Sequence, residues 1–78
     1  MDQDLARIVA TAGTGASRQL GDLVALLAKH LPEDEELRLG VATAIAEIGL
    51  NVIRPAFDAH PELEAEFQRR VDRYERST

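Results

Sequence analysis

The stretch that decides the fold is residues 33–53, which read EDEELRLGVATAIAEIGLNVI. Between Leu37 and Ile53 the charged side chains are Arg38 and Glu47, while apolar residues occupy most of the helical circumference. A helix that is apolar on most of its sides has to lie between neighbouring elements. This segment is therefore predicted to be the central helix of a packed bundle.

Proline residues followed by acids indicate where helices begin. Leu31-Pro32-Glu33 stands at the start of the central helix, and His60-Pro61-Glu62 at the start of the last one. Proline fits the first helical position because its missing N–H costs nothing there, and acids are stabilised by the positive end of the helix dipole. Pro55 either ends or kinks the central helix, since its ring removes a backbone hydrogen bond. We predict a break at Pro55, with helices over 33–53 and 61–76.

The N-terminal part of the chain carries apolar residues three or four positions apart, which is the period of a helix. These residues are Leu5, Val9, Ala12, Ala16, Leu20, Leu23, Leu27 and Leu31. The pattern stays in phase across Gly13-Thr14-Gly15, where each glycine would cost about 1 kcal/mol in a helix interior. We predict two helices, 4–12 and 16–30, joined by a loop at these glycines. A single kinked helix is the alternative.

Together these segments predict an all-α protein with a single domain over residues 1–78. The expected architecture is a small four-helix bundle, three long helices and one short, around a central apolar helix. A chain this short buries only about 60% of the surface that it exposes when unfolded. Because it contains no cysteine, it has neither a disulfide nor a thiolate metal site to reinforce it. Self-association is the remaining reinforcement, so we expect a homodimer.

A stripe of small residues on the central helix is the predicted contact surface. Ala42, Ala46 and Gly49 are spaced so that another helix could approach closely along them. Ile53 and Phe57 continue the apolar surface toward the end of that helix. These five residues are our candidates for an interface with a symmetric partner.

The residue types that catalysis or metal binding needs are sparse. Without cysteine, and with few serines, no nucleophilic triad can be assembled. His30 and His60 each stand alone near carboxylates, which falls short of the paired helical motifs of zinc or di-iron sites. Glu47 lies within the most apolar helix, but on the polar strip that it forms with Thr43 and Asn51. We therefore predict no catalytic residue, no metal and no cofactor, and a protein that is not an enzyme.

The net charge of −5 disfavours nucleic acids as partners, because binding to phosphates needs clustered Lys and Arg. A DNA-binding helix-turn-helix regulator, built from 16–30 and the following helix, is the alternative function. In it the acidic run 33–36 would begin the recognition helix and repel the duplex. The stretch 39–53 is too short to span a membrane, and the N-terminus lacks the basic start of a signal peptide. We expect a cytoplasmic location without a membrane.

The function expected from these observations is that of a small acidic, non-enzymatic protein. It would act through protein–protein contacts as a regulator, adaptor or accessory subunit, with a protein partner that the sequence does not identify. Few aromatic residues and many Ala, Leu, Val and Ile residues favour close helix contacts over a deep ligand pocket.

Overall fold

The computed structural model describes residues 1–76, without the side chains of residue 72 and of residues 74–76. These residues form helices and no strand, so the all-α prediction is confirmed. In chain order the elements are α1 (Gln3–His30), α2 (Glu35–Ile48), a π-helical segment (Gly49–Ile53), α3 (Arg54–Ala59) and α4 (Pro61–Arg76). The π segment joins α2 to α3 without a break, and we call residues 35–59 the central rod. The described chain thus has three helical rods instead of the four helices predicted.

The first rod, α1, is a single helix of 28 residues. The predicted loop at Gly13-Thr14-Gly15 is therefore wrong, and the single-helix alternative is correct. Gly13 is buried where α1 crosses the π segment, and a Cβ there would lie 2.7 Å from Cγ1 of Ile53. The packing of α1 against the central rod stabilises the helix by more than the cost of about 1 kcal/mol that each glycine adds. The Asp2 side chain caps the helix by accepting from the N–H of Leu5 at 2.7 Å.

The two proline signals lead to different local structures. Pro61 is the first residue of α4, as predicted. Pro32 instead lies in the turn after α1, and α2 begins at Glu35, two residues later than expected. The start of α2 is set by Asp34, whose side chain accepts from the N–H of Leu37 at 3.0 Å. An N-cap side chain thus fixes this helix start more strongly than the proline does.

The central rod continues through Pro55, where the sequence predicted a break. The turn before it is π-helical, and the N–H of Arg54 donates to the carbonyl oxygen of Gly49, five residues back. A proline in a regular helix meets the carbonyl four residues before it and leaves that carbonyl without a donor. In the π turn the hydrogen bond runs five residues back, so the helix here does not depend on the bond to the fourth residue back that Pro55 cannot donate. The helix therefore accommodates Pro55 without ending.

The π segment also contains one residue more than an α-helical turn, and this changes which side chains face inward. Regular spacing from Ile48 would turn Pro55 toward α1, whereas Pro55 is exposed in the structure. In the structure the covered residues include Val41, Ile45 and Ile48 before the segment, Ile53 at its last position, and Ala56 and Phe57 after it. The extra residue therefore keeps both halves of the rod packed on the same neighbour.

The core lies at one end of the molecule, where all three rods meet. Its fully buried residues are Ala6 and Ala10 of α1, Ala56 of α3 and Leu63 of α4, with Val9, Phe57 and Phe67 packed around them. The central rod runs antiparallel to α1 and contacts it along its length, whereas α4 contacts the rod through α3. The Cα extents of 43 × 31 × 13 Å show that the molecule is flat.

The central rod is not covered on most of its sides, which corrects the prediction of a wrapped central helix. Leu39 and Leu50 are 62% and 66% exposed, and the buried residue of α2 is Val41. Since the predicted helices 4–12 and 16–30 are one rod, they lie on one side of α2 and cannot surround it. The side of α2 facing away from α1 therefore meets solvent.

Candidate functional site

The five residues predicted to form an interface do not share one surface. Ala42 and Ala46 are exposed on the side of α2 that faces away from α1. Gly49 is half-buried, and no atom lies within 4 Å of the point where a Cβ would be. Ile53 and Phe57 are half-buried against the rest of the chain. The extra residue of the π segment separates the two groups, because it rotates the rod by about 100° between them.

The exposed side of α2 nonetheless carries an apolar strip. Leu39 and Leu50 stand at either end of the small residues Ala42 and Ala46, and all four are exposed. We call these four residues the α2 face. The first turn of α2 is acidic, and its last turn has no basic residue. The face is thus an apolar strip with negative charge at one end.

A second exposed strip, apolar except for Gln19, runs along α1, and sequence reasoning missed it. Its members are three or four positions apart and all are exposed: Leu5, Ile8, Ala12, Ala16, Gln19, Leu23 and Leu26. We call these seven residues the outer stripe of α1. Ile8 is 64% exposed and Leu26 is 54% exposed. Four of them, Leu5, Ala12, Ala16 and Leu23, belong to the single apolar pattern from which the helices were predicted, and that pattern did not separate exposed from buried residues.

One signal in the sequence would have separated the outer stripe from the core. The apolar residues of α1 form two stripes, because Ala6, Ala10 and Gly13 follow the helical period on a different side from Leu5 and Ile8. A helix that packs on one neighbouring rod covers one such stripe. The width of the apolar pattern therefore exceeds what the two other rods can bury.

A groove of about 490 Å³ opens between α1 and α4. Thr11, Thr14 and Arg18 line it from α1, and Phe67 lines it from α4. The ring of Phe67 meets the ring of Phe57 edge to face, with 5.5 Å between their centroids. Hydroxyl groups and a guanidinium beside an aromatic wall suit a small amphipathic molecule. Neither His30 nor His60 lines this groove, and no residue of α2 does.

A forked ion pair fastens α4 to α1. Arg7 donates from Nε to Oε2 of Glu66 at 3.2 Å and from Nη2 to Oε1 at 3.3 Å. The hydrogen bond from Arg7 lowers the pKa of Glu66 below its ordinary value, desolvation opposes this, and the positive charge of Arg7 adds to the lowering. The same hydrogen bond and the charge of Glu66 raise the pKa of Arg7. Both groups are therefore charged together across a wide pH range.

Arg54 forms a second link, between α3 and α4. Its Nη2 donates to Oε2 of Glu64 at 2.7 Å, and its Nε lies 3.2 Å from Oδ1 of Asp58. The hydrogen bond to Glu64 is the main cause that raises the pKa of Arg54. Its guanidinium also lies 5.8 Å from the centre of the Phe57 ring. Through these contacts Arg54 connects α3 to the first turn of α4.

His60 lies between the start of the chain and α4. Its Nδ1 is 3.1 Å from Oε1 of Glu62, and its Nε2 is 2.9 Å from the carbonyl oxygen of Met1. The pKa of Glu62 is lowered, chiefly by a hydrogen bond from its own backbone N–H and further by His60. Gln3 donates to the same carboxylate at 3.1 Å. His60 therefore joins elements, as Arg7 does.

The other residues considered for chemistry lie apart from one another. Oε2 of Glu47 accepts from Nδ2 of Asn51 at 2.7 Å on the exposed polar strip of the central rod. His30 is the exposed last residue of α1. Within the described part of the chain, no three His, Cys, Asp or Glu side chains converge as a metal site would require.

Comparisons with known proteins returned no matching family model, no matching curated protein and no matching solved structure. Among the helices of residues 1–76, none combines the length and the apolar character that a membrane crossing needs. The features available for a functional role are thus the α2 face, the outer stripe of α1 and the groove beside α4.

Proposed function

We propose that this chain is a non-enzymatic interaction protein that acts through protein–protein contacts and self-associates as a dimer. In this role it serves as a regulator, adaptor or accessory subunit, and its helices present the contact surface. The proposal depends on one observation, the imbalance between buried and exposed apolar side chains.

The buried hydrophobic residues of the described chain are three alanines, Val41 and Leu63. The exposed large apolar side chains are Met1, Leu5, Ile8, Leu23, Leu26, Leu31, Leu37, Leu39, Leu50, Val52 and Val71. Small domains with one modest core rarely gain more than about 3–5 kcal/mol from it, and many obtain further stability by oligomerising. Covering these side chains with a second copy supplies that stability and leaves the acidic surface in water.

Sedimentation equilibrium over a wide range of protein concentration tests this proposal. We expect a dimer that dissociates on dilution, and a thermal unfolding midpoint that rises with protein concentration because the dimer is the more stable species. A monomer at high micromolar concentration, with a midpoint independent of concentration, would contradict self-association.

The DNA-binding alternative has one feature in its favour, the cluster of Arg69, Arg70 and Arg73 around a small concavity on α4. Glu66 lines the same concavity, and Arg70 lies 3.6 Å from its carboxylate. The start of α2, where a recognition helix would begin, carries Glu35 and Glu36. We therefore expect no mobility shift of random duplex DNA at low salt. A salt-sensitive shift would favour the DNA-binding function instead.

A further inference from the structure

The outer stripe of α1 has the arrangement of a self-complementary surface. Its large apolar residues stand at the two ends, Leu5 and Ile8 at one and Leu23 and Leu26 at the other, with two alanines and Gln19 between them. Leu5 and Leu26 have the same midpoint along the helix as Ile8 and Leu23, between Gly15 and Ala16. An antiparallel copy of this stripe therefore meets it with every large apolar side chain opposite another, and with Gln19 opposite Ala12.

The charges at the ends of α1 favour the same orientation. Its first turn contains Asp4, preceded by Asp2, and its last turn contains Lys29 and His30. Antiparallel pairing sets the acids of one copy beside the basic residues of the other, at both ends of the contact. Parallel pairing would set like charges together and align the two helix dipoles unfavourably.

The α2 face lacks this complementarity. Leu39 and Leu50 also bracket small residues, but Glu35 and Glu36 in its first turn have no basic counterpart in the last turn of α2. A second copy laid antiparallel, with Leu39 opposite Leu50, would bring Arg54 near Glu35, but Arg54 is already paired with Glu64 and Asp58 of its own chain. Of the two exposed apolar strips, α1 is the one whose charges fit a copy of itself.

We infer that α1 pairs with α1 of a second copy, antiparallel, about a two-fold axis that passes between Gly15 and Ala16. This inference rests on the proposed self-association and names its surface. Leu5 of each copy packs against Leu26 of the other, and Ile8 packs against Leu23. Ala12 and Ala16 allow the two backbones to approach closely near the axis.

Disulfide trapping tests the arrangement, because the native chain has no cysteine. Ala16→Cys lies at the axis, so that variant should cross-link to itself under mild oxidation. Leu5→Cys and Leu26→Cys lie about 32 Å apart along the helix. Each alone should give little cross-linked dimer, whereas an equimolar mixture of the two should cross-link readily. Leu39→Cys, on the α2 face, is the matched control and should remain uncross-linked.

The outcomes separate this inference from the proposed function. A wild-type chain that dimerises while Ala16→Cys fails to cross-link overturns the pairing of α1 but not self-association. Self-cross-linking of Leu5→Cys indicates parallel pairing, and cross-linking of Leu39→Cys indicates the α2 face. Either result overturns the inference. A wild-type monomer in sedimentation overturns both proposals.

Substitution with a charged residue gives a second, non-covalent test. Ile8→Glu places a carboxylate in the proposed contact and should raise the dimer dissociation constant at least about tenfold. Leu39→Glu, at a similarly exposed site, should change it less than about twofold. Circular dichroism checks that both variants keep their helices. Equal effects of the two substitutions would contradict the assignment to α1.

Discussion

The two ends of the molecule show what a third helix adds to a pair. At the closed end, where α4 joins α1 and α3, Ala6, Ala56 and Leu63 are fully buried. At the open end, where α1 meets α2 alone, Leu26 and Leu39 are more than half exposed. A pair of helices buries one line of side chains, and full burial needs a third surface. Stability should therefore depend on the closed end more than on the open end.

Replacing Leu63, at the closed end, should cause the largest loss of stability. Its side chain is fully buried between three rods, and removing most of it leaves a cavity. Leu63→Ala should lower the free energy of unfolding by about 2–5 kcal/mol, which is comparable to the whole stability of a domain this small. Urea unfolding followed by circular dichroism, at one fixed protein concentration, measures the loss.

Leu39→Ala is the matched control at the open end. The same atoms are removed from a side chain that is 62% exposed, so the free energy of unfolding should change by less than about 0.5 kcal/mol. Comparable losses for the two variants would show that the ends do not differ in the way the burial indicates.

The register of the central rod gives the next largest effect. In a Pro55→Ala background, deleting Leu50 removes the extra residue of the π segment and allows a regular α-helix with both inward faces still aligned. Deleting Thr43 instead rotates Val41 out of alignment by about 100°. We expect the Leu50 deletion to stay within about 1 kcal/mol of its parent, and the Thr43 deletion to lose at least about 2 kcal/mol.

Hydrogen exchange and urea unfolding compare these two deletions. If both destabilise equally, the π segment is not a one-residue insertion into a helix, and its role in aligning the two ends has to be abandoned. Equal tolerance of both would mean that the packing of α2 on α1 contributes little to stability.

The sequence predicted the local structure of this fold better than its packing. Helical periodicity and the Pro61 signal depend on neighbouring residues, and they identified the helices. Whether the helix continues through Gly13 and Pro55 depends on contacts that local sequence does not determine. Gly13 stays helical because Ile53 packs on it, and Pro55 is tolerated because a π turn precedes it. Neither contact can be deduced from residues close in sequence.

The five predicted interface residues lie on different surfaces for a related reason. The spacing of Ala42, Ala46 and Gly49 was extended to Ile53 and Phe57 on the assumption of a regular helix. One extra residue in the π segment places Ile53 and Phe57 on a different side of the rod from Ala42 and Ala46. Sequence periodicity identifies a face as long as the helix is regular, and a π turn interrupts that relation.

A third comparison uses two glycines of the same helix. A Cβ at Gly13 would lie 2.7 Å from Ile53 Cγ1, whereas a Cβ at Gly21 meets no atom within 4 Å. Gly13→Ala should therefore destabilise the protein by about 1–3 kcal/mol through overpacking. Gly21→Ala should stabilise it by up to about 1 kcal/mol through helix propensity. Thermal unfolding gives the sign of each change, and stabilisation by Gly13→Ala would mean that the rods can separate there without loss.

The smallest expected effect concerns the ion pair that attaches α4 at the closed end. The pKa of Glu66 is lower in the folded chain than its ordinary value of about 4.5, chiefly through the hydrogen bond from Arg7. The stabilisation is therefore present above the unfolded pKa and is lost as the pH falls through the lower folded pKa. Glu66→Gln should reduce the urea midpoint at neutral pH, and its deficit relative to wild type should shrink below about pH 4.5. A deficit for Glu66→Gln that stays constant with pH would mean that the side chain stabilises α4 by packing and that its charge contributes nothing.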